Sequence, residues 1–506
     1  MFANYWSERL LCSPMCCIDS LKNYRNIRCI EKESHGPGCG MVFVIAVVVT
    51  RTKETPMRLA STLICLCVLT ACSSSRELIG DDLRCHVGSY RLASGALIDI
   101  GLVDAEHLRW RTLDGRVGRI RLTEDDGVWS GTEGWTERPH SARFTLGSCD
   151  DQGINVAGID GVNGDAVKVL FNVTDVRFQG PDGELAGRLV LPKGEAAVPI
   201  AVLIHGSEDY SALDYYYDQR LLPAQGVGVF IYDKRGTGAS SGVYSQDFHL
   251  LAADAAAAYD TAIEVAGDRV ARSGYFGASQ GGWVAPLAAE LSTPDFVIAS
   301  YGMAEGPLAE DRDEIQLRLS EAGFGEDAFS KAAEVTDITG RLLVSDFQDG
   351  AEDLKRVREA YGDEAWFEHM KGGVTWEMVS RPLWQFRLGY FFLEQGTSWD
   401  YNPVPVLRAI EAPMLWVLAG DDSSAPSANT REILTQLQAA KRPIDVAFFP
   451  HTEHGITRFL EDEQGERQLL GYAPGYFELV ADWILNQKLA DAHESAELAP
   501  RIWFPR

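Results

Sequence analysis

A serine framed by glycines at a strand-to-helix junction constrains this chain more than any other feature. Gly277-Ala278-Ser279-Gln280-Gly281 directly follows the strand-like run from Val270 to Phe276 and directly precedes the helix-like run from Trp283 to Glu290. A serine hydroxyl is a poor nucleophile at neutral pH, so it becomes useful where a tight turn presents it to a histidine that can take its proton. Gly277 and Gly281 suit such an elbow because the turn leaves no room for side chains beside Ser279. A second G-x-S-x-G match, Gly238 to Gly242, follows a glycine-rich turn and leads into Val243-Tyr244-Ser245-Gln246 rather than a strong helix. Ser240 therefore reads as structural.

From about residue 171 strand-like and helix-like runs alternate, the pattern of a mostly parallel sheet with helices on its faces. Val176-Arg177-Phe178 and Leu185 to Leu191 read as a hairpin turned at Pro181-Asp182-Gly183. The apolar runs Ile200 to Ile204 and Val227 to Ile231 suit central strands covered on both sides. Leu250 to Val265 reads as a helix, and Phe296 to Ser300 as the strand after the elbow.

Three ordered motifs then make a resemblance specific. Ile204-His205-Gly206-Ser207, Tyr232-Asp233-Lys234-Arg235-Gly236-Thr237-Gly238 and the elbow resemble the oxyanion loop, the following turn and the nucleophile of the α/β-hydrolase superfamily. The likeness covers roughly residues 171 to 490 and is strongest to bacterial esterases and serine-aminopeptidase-like hydrolases with a helical cap. It implies an α/β-hydrolase fold that cleaves esters or amides through an acyl-serine. The chain order for that fold is serine, acid, histidine. Asp421 and Asp422 both follow the late strand Met414 to Gly420; the family's spacing of four residues before a proline, here Pro426, favours Asp422 over Asp421. After the strand Ile444 to Phe449, the family's His-Gly pair matches His454-Gly455, with His451 as the alternative. The backbone N–H groups of Gln280 and Ser207 are the expected oxyanion donors.

More than a hundred residues separate Tyr301 from the acid-bearing strand, far beyond an ordinary connection. Helical runs at 314–322, 329–335 and 352–361 predict an inserted cap over about residues 302–405. It is rich in aromatics (Trp366, Phe367, Trp376, Trp384, Phe386, Tyr390, Phe391, Phe392 and Trp399). These suit an apolar acyl pocket, or else the cap's own core.

The chain before this domain, 171–492, divides differently. Short alternating runs over 85–170 predict a small antiparallel β module of five to seven strands. Met57-Arg58, the apolar stretch Leu63 to Leu69 and Leu69-Thr70-Ala71-Cys72 resemble a lipoprotein signal over 57–72, with Cys72 lipidated and 73–84 a linker. Residues 1–56 then read as a non-native upstream extension. That reading leaves Cys85 and Cys149 in the exported body, either as a disulfide in an oxidising compartment or as two free thiols. The tail is 493–506.

Against 46 basic side chains stand 73 acidic ones, a net charge of -27 that argues against a nucleic-acid partner. No dinucleotide fingerprint and no H-E-x-x-H pattern is present, so neither a cofactor nor a metal is expected. The expectation is a serine hydrolase acting on small or medium, apolar acyl esters, lipid-anchored at a bacterial cell envelope, on the periplasmic side of the outer membrane where there is one. Two alternatives stand beside it. A peptidase for short peptides would need a charged anchor, for which Glu305, Glu310 and Asp311 qualify; a noncatalytic binding lipoprotein would have no reason to keep all three groups in register.

Overall fold

The structure is a computed structural model and describes residues 81–122, 127–393, 396–463, 465–489 and 495–501. The segments read as an upstream extension and a lipoprotein signal, with Cys72, lie outside the described residues.

Eight strands form the N-terminal module: β1 (Gly88–Leu92), β2 (Leu97–Leu102), β3 (His107–Thr112), β4 (Val117–Leu122), β5 (Val128–Glu133), β6 (Pro139–Leu146), β7 (Gly153–Ala157) and β8 (Gly164–Lys168). They close into an antiparallel barrel, β1 pairing with β8. Alternate side chains fill it, among them Ile98, Ile100, Leu108, Trp110, Ile120, Phe144 and Val156. Eight exceeds the expected five to seven; β7 and β8 are short and half-exposed, each containing a glycine, and only closure of the barrel reveals them. A Cys85–Cys149 disulfide brackets most of the barrel, with Cα atoms 5.3 Å apart.

The second part is a nine-stranded sheet in the order β20-β16-β15-β14-β13-β11-β12-β10-β9. Its strands are β9 (Phe171–Gly180), β10 (Gly183–Pro192), β11 (Val198–Ile204), β12 (Gly228–Tyr232), β13 (Val270–Ala278), β14 (Phe296–Ser300), β15 (Met414–Ala419), β16 (Ile444–Phe449) and β20 (Glu497–Ala499). The six strands from β11 to β16 are parallel; β9, β10 and β20 run antiparallel to their neighbours. The continuous apolar runs arise because both faces are covered. Ile200, Val202 and Ile204 pack under helices Phe248–Ala266 and Gly281–Leu291, while Ala201 and Leu203 pack under Asp218–Ala224 and Tyr476–Asn486. Part of the segment read as a tail supplies β20, and a small sheet of β17 (Thr452–Glu453), β18 (Thr457–Glu461) and β19 (Arg467–Tyr472) follows β16.

The cap is helical: Pro307–Glu321, Glu326–Val344, Ala351–Tyr361, Val374–Val379, Leu383–Leu393 and Val404–Ala409. Its described aromatic side chains mostly pack on one another. Phe386 stacks on Tyr390, Phe347 meets Tyr390 edge-on, Trp399 donates Nε1–H to the Tyr390 hydroxyl at 3.1 Å, and Trp384 is exposed. The aromatic count in the sequence therefore reflects a cap core more than an acyl pocket.

A buried ion pair joins the barrel to the helix Asp218–Ala224 that covers the sheet. Asp99 of β2, fully buried, accepts from Arg220 Nε at 2.7 Å and Nη2 at 2.9 Å, and from Arg111 at 3.4 Å. Asp99→Ala would leave two guanidinium groups without this carboxylate in a low-dielectric contact and should cost about 3–5 kcal/mol, read as a lower denaturation midpoint.

Candidate active site

The elbow forms as the glycines require. Ser279 has φ 54°, a left-handed conformation that a non-glycine residue adopts at a cost. A Cβ on Gly277 would lie 2.0 Å from the Gly281 carbonyl oxygen, and one on Gly281 would lie 2.7 Å from that of Ile204. Both approaches are backbone against backbone, so no side-chain adjustment relieves them. Ser279 N–H donates to Ser300 O of neighbouring β14, which fixes the turn to the sheet. Gln280 is the N-cap of helix Gly281–Leu291, where backbone N–H groups have no acceptor within the helix.

Two loops at the carboxyl ends of β15 and β16 bring in the other groups. His454 Nε2 stands 3.1 Å from Ser279 Oγ, and its Nδ1 stands 2.9 Å from Asp422 Oδ2. Asp422 is buried, and its Oδ1 also accepts from the N–H groups of Ser424 and Ala425 at 3.0 and 2.8 Å. Burial opposes charge on the His454 ring, but the facing Asp422 carboxylate outweighs it and holds the pKa above the ordinary 6.5. Asp421 and His451 are not part of this arrangement. They face each other at 3.4 Å on the surface, the His451 side chain 92% exposed.

Ser240 is also away from the elbow chemistry: its hydroxyl donates to Asp233 O and accepts from Ala186 N–H, tying a turn to β10. Of the proposed peptide anchors, Glu310 lies within electrostatic reach of His454 and Asp422, and burial pushes its carboxyl up to about 8. Asp311 accepts instead from Thr375 N–H, and Glu305 pairs with Arg312 at 3.4 Å.

Several supporting residues carry no signal in the sequence. Tyr301 meets the His454 ring edge-on at 5.0 Å between centroids. Glu453 bolts the acid loop to the histidine loop, accepting from Ser423 N–H at 2.8 Å and Oγ at 2.9 Å while pairing with Arg467. The motif after β12 divides its work. Asp233 accepts from Ser211, Leu213 and Ala239, Lys234 reaches the carbonyl of Gly206, and Arg235 forks onto Asp254 at 2.7 and 2.8 Å. A separate cleft of about 540 Å³ lies in the cap region between Leu308, Arg312, Gly340, Arg341 and Tyr401, without Ser279, Asp422 or His454 in its walls.

A family model described as "Alpha/beta hydrolase family" matches residues 201–467. Among solved structures, an esterase of Pyrococcus furiosus is 14% identical over 56% of this chain and 84% of its own, with a TM-score of 0.37. The acylaminoacyl peptidase of Pyrococcus horikoshii is 15% identical over 73% of this chain and 52% of its own, so this chain spans about half of that protein, at a TM-score of 0.36. An acetyl xylan esterase from Paenibacillus sp. R4 is 18% identical over 56% and 79%, at 0.32. No curated protein matches the chain.

Proposed function

Because the chain belongs to the α/β-hydrolase family, we propose that it is a serine hydrolase that cleaves carboxylic esters through an acyl-enzyme on Ser279. The observation that carries this reading is the unbroken relay Ser279 Oγ, His454 Nε2, His454 Nδ1, Asp422 Oδ2, at 3.1 and 2.9 Å. In it His454 takes the Ser279 proton as Oγ attacks the ester carbonyl. Asp422 orients the ring and stabilises the imidazolium that forms. The carbonyl oxygen becomes an oxyanion that receives hydrogen bonds from the backbone N–H groups of Gln280 and Ser207, each donor of this kind being worth about 3 kcal/mol. His454 then gives its proton to the departing alcohol, and a water activated by the same ring releases the acid.

A pH profile follows from the electrostatics. The base must be neutral to work, so activity should fall as pH drops through the His454 pKa. The Asp422 carboxylate raises that pKa, so the half-maximal point of the acid limb in kcat/KM should lie above 6.5. A limb at or below that value would contradict the geometry.

One observation favours a peptidase reading as a rival: the buried Glu310 carboxyl lies within electrostatic reach of His454 and Asp422, and an acid there can pair with a substrate ammonium. Its pKa of about 8 weakens it, because the group is largely uncharged at neutral pH unless a cation is already there. A chain-length series of p-nitrophenyl esters, run beside aminoacyl p-nitroanilides, separates the two readings. Ester turnover without anilide turnover supports the esterase, and the length optimum measures the acyl pocket; anilide turnover moves the protein to the peptidases. Lipid on Cys72 and residence at a bacterial envelope belong to the same proposal. Incorporation of labelled palmitate that survives Cys72→Ala would overturn that part.

A further inference from the structure

The oxyanion loop is held by groups that the mechanism above does not use. Lys234 is 2% exposed, on the turn after β12. Its Nζ donates to the carbonyl oxygen of Gly206 at 2.7 Å and lies 4.6 Å from the centre of the Tyr244 ring. That carbonyl and the Ser207 N–H belong to one peptide unit. Gly206 also lies against the nucleophile: a Cβ placed on it would be 3.4 Å from Ser279 Cβ.

A peptide group is polarised along its whole length. A cation bonded to its oxygen draws electron density away from its nitrogen, so the N–H at the other end becomes a stronger donor, and hydrogen-bonded chains reinforce one another in this way. The bond also fixes the plane of the peptide and so the direction in which that N–H points. The preceding peptide is fixed too, since Gly206 N–H donates to Glu208 Oε1 at 3.2 Å, and Tyr216 donates its hydroxyl to the same oxygen. The Tyr244 hydroxyl donates to the Ser207 carbonyl. Three successive peptide groups are thereby set by side chains from outside the loop or from its own far end.

We propose that Lys234 is a positioning residue for the oxyanion hole: its ammonium, bonded to the Gly206 carbonyl, orients and strengthens the Ser207 N–H that receives the negative charge in the transition state. This rests on the reading of Ser279 as nucleophile and Ser207 N–H as oxyanion donor. The groups facing Lys234 are the carboxylates of Glu208 and Asp209, the Tyr244 ring, and His205, which burial and Lys234 itself hold neutral with a pKa of about 3. Burial lowers the Lys234 pKa to about 8 against the pull of the two carboxylates. Its charge is thus lost on the alkaline side of neutrality, where the oxyanion hole should weaken.

The test compares wild type, Lys234→Met and Ser279→Ala on one p-nitrophenyl ester from pH 6 to 10. Affinity for a trifluoromethyl ketone, whose adduct carries the oxyanion, is measured in parallel. Wild-type kcat should fall through an alkaline limb near pH 8. Lys234→Met should lower kcat about tenfold at pH 7, keep KM within about twofold, lose the alkaline limb and bind the ketone weaker by the same factor as kcat. A wild-type kcat flat to pH 10 would overturn the proposal even if the variant does not fold. So would a variant that keeps its kcat, or one whose loss appears in KM alone. Ester turnover that survives in Ser279→Ala would overturn the underlying reading instead, and the Lys234 role with it.

Discussion

Ser279→Ala should lower kcat on p-nitrophenyl esters by about 10⁴–10⁶ while leaving the melting temperature nearly unchanged. The size follows from what is removed. Without Oγ no acyl-enzyme forms, and only the rate that the oxyanion donors and binding give to direct attack by water remains. Stability should hold because the elbow is built by the backbone: the close approaches at Gly277 and Gly281 and the Ser279 N–H bond to Ser300 do not involve the hydroxyl. The companion variant Ser240→Ala separates chemistry from motif. Both serines sit in G-x-S-x-G, yet the Ser240 hydroxyl is engaged by Asp233 and Ala186. Its loss should cost about 1 kcal/mol of stability and little activity. Labelling by a fluorophosphonate that vanishes in Ser279→Ala and persists in Ser240→Ala is the direct readout, and the reverse pattern would move the nucleophile to Ser240.

The difference between those serines was legible in the sequence because it is local. A strand, five residues and a helix decide whether a hydroxyl stands at the tip of an elbow, and all of that lies within about twenty consecutive positions. The sheet was legible for a related reason: runs such as Ile200 to Ile204 are apolar without alternation only when both faces are covered, as Ile200, Ala201, Val202 and Leu203 are here. What depends on long-range closure was not legible. β8 returns to pair with β1 across some seventy residues, so nothing in the short segment Gly164–Lys168 marks it as a barrel strand. Lys234 looks like one more residue in a turn motif until β12 lies beside β11 and its ammonium meets the Gly206 carbonyl. The same holds for Glu453 and Arg467, which connect two loops and a small sheet that periodicity does not announce. The cap aromatics show the opposite case. Composition left them open as a pocket or as the cap's own core, and the contacts of Phe347, Phe386 and Tyr390 favour the core.

The choice of acid, which residue order alone left between neighbours, has the second large consequence. Asp422→Asn should lower kcat by about 10⁴ with Ser279 and His454 both intact. An asparagine amide turned toward Nδ1 donates where the carboxylate accepted. The ring then keeps its proton on Nε2, the nitrogen that must receive the Ser279 proton, and the imidazolium loses its counter-charge. The pH profile should change with the rate. With the carboxylate gone, burial is left as the larger influence on His454, so the residual activity should show an acid limb displaced to lower pH than in the wild type. Asp421→Asn is the internal comparison. Its side chain faces the exposed His451 at 3.4 Å and lies within electrostatic reach of Arg467, and the part of Asp421 that serves the site, its backbone, is retained: the N–H donates to Thr452 O, and the carbonyl accepts from Arg467. That variant should keep kcat within about twofold and an unmoved acid limb, as partly exposed substitutions outside the relay ordinarily do. If the large loss and the displaced limb followed Asp421 instead, the loop after β15 would have to present its first carboxylate to His454. The N–H bonds of Ser424 and Ala425 that now hold Asp422 inward argue against that rearrangement.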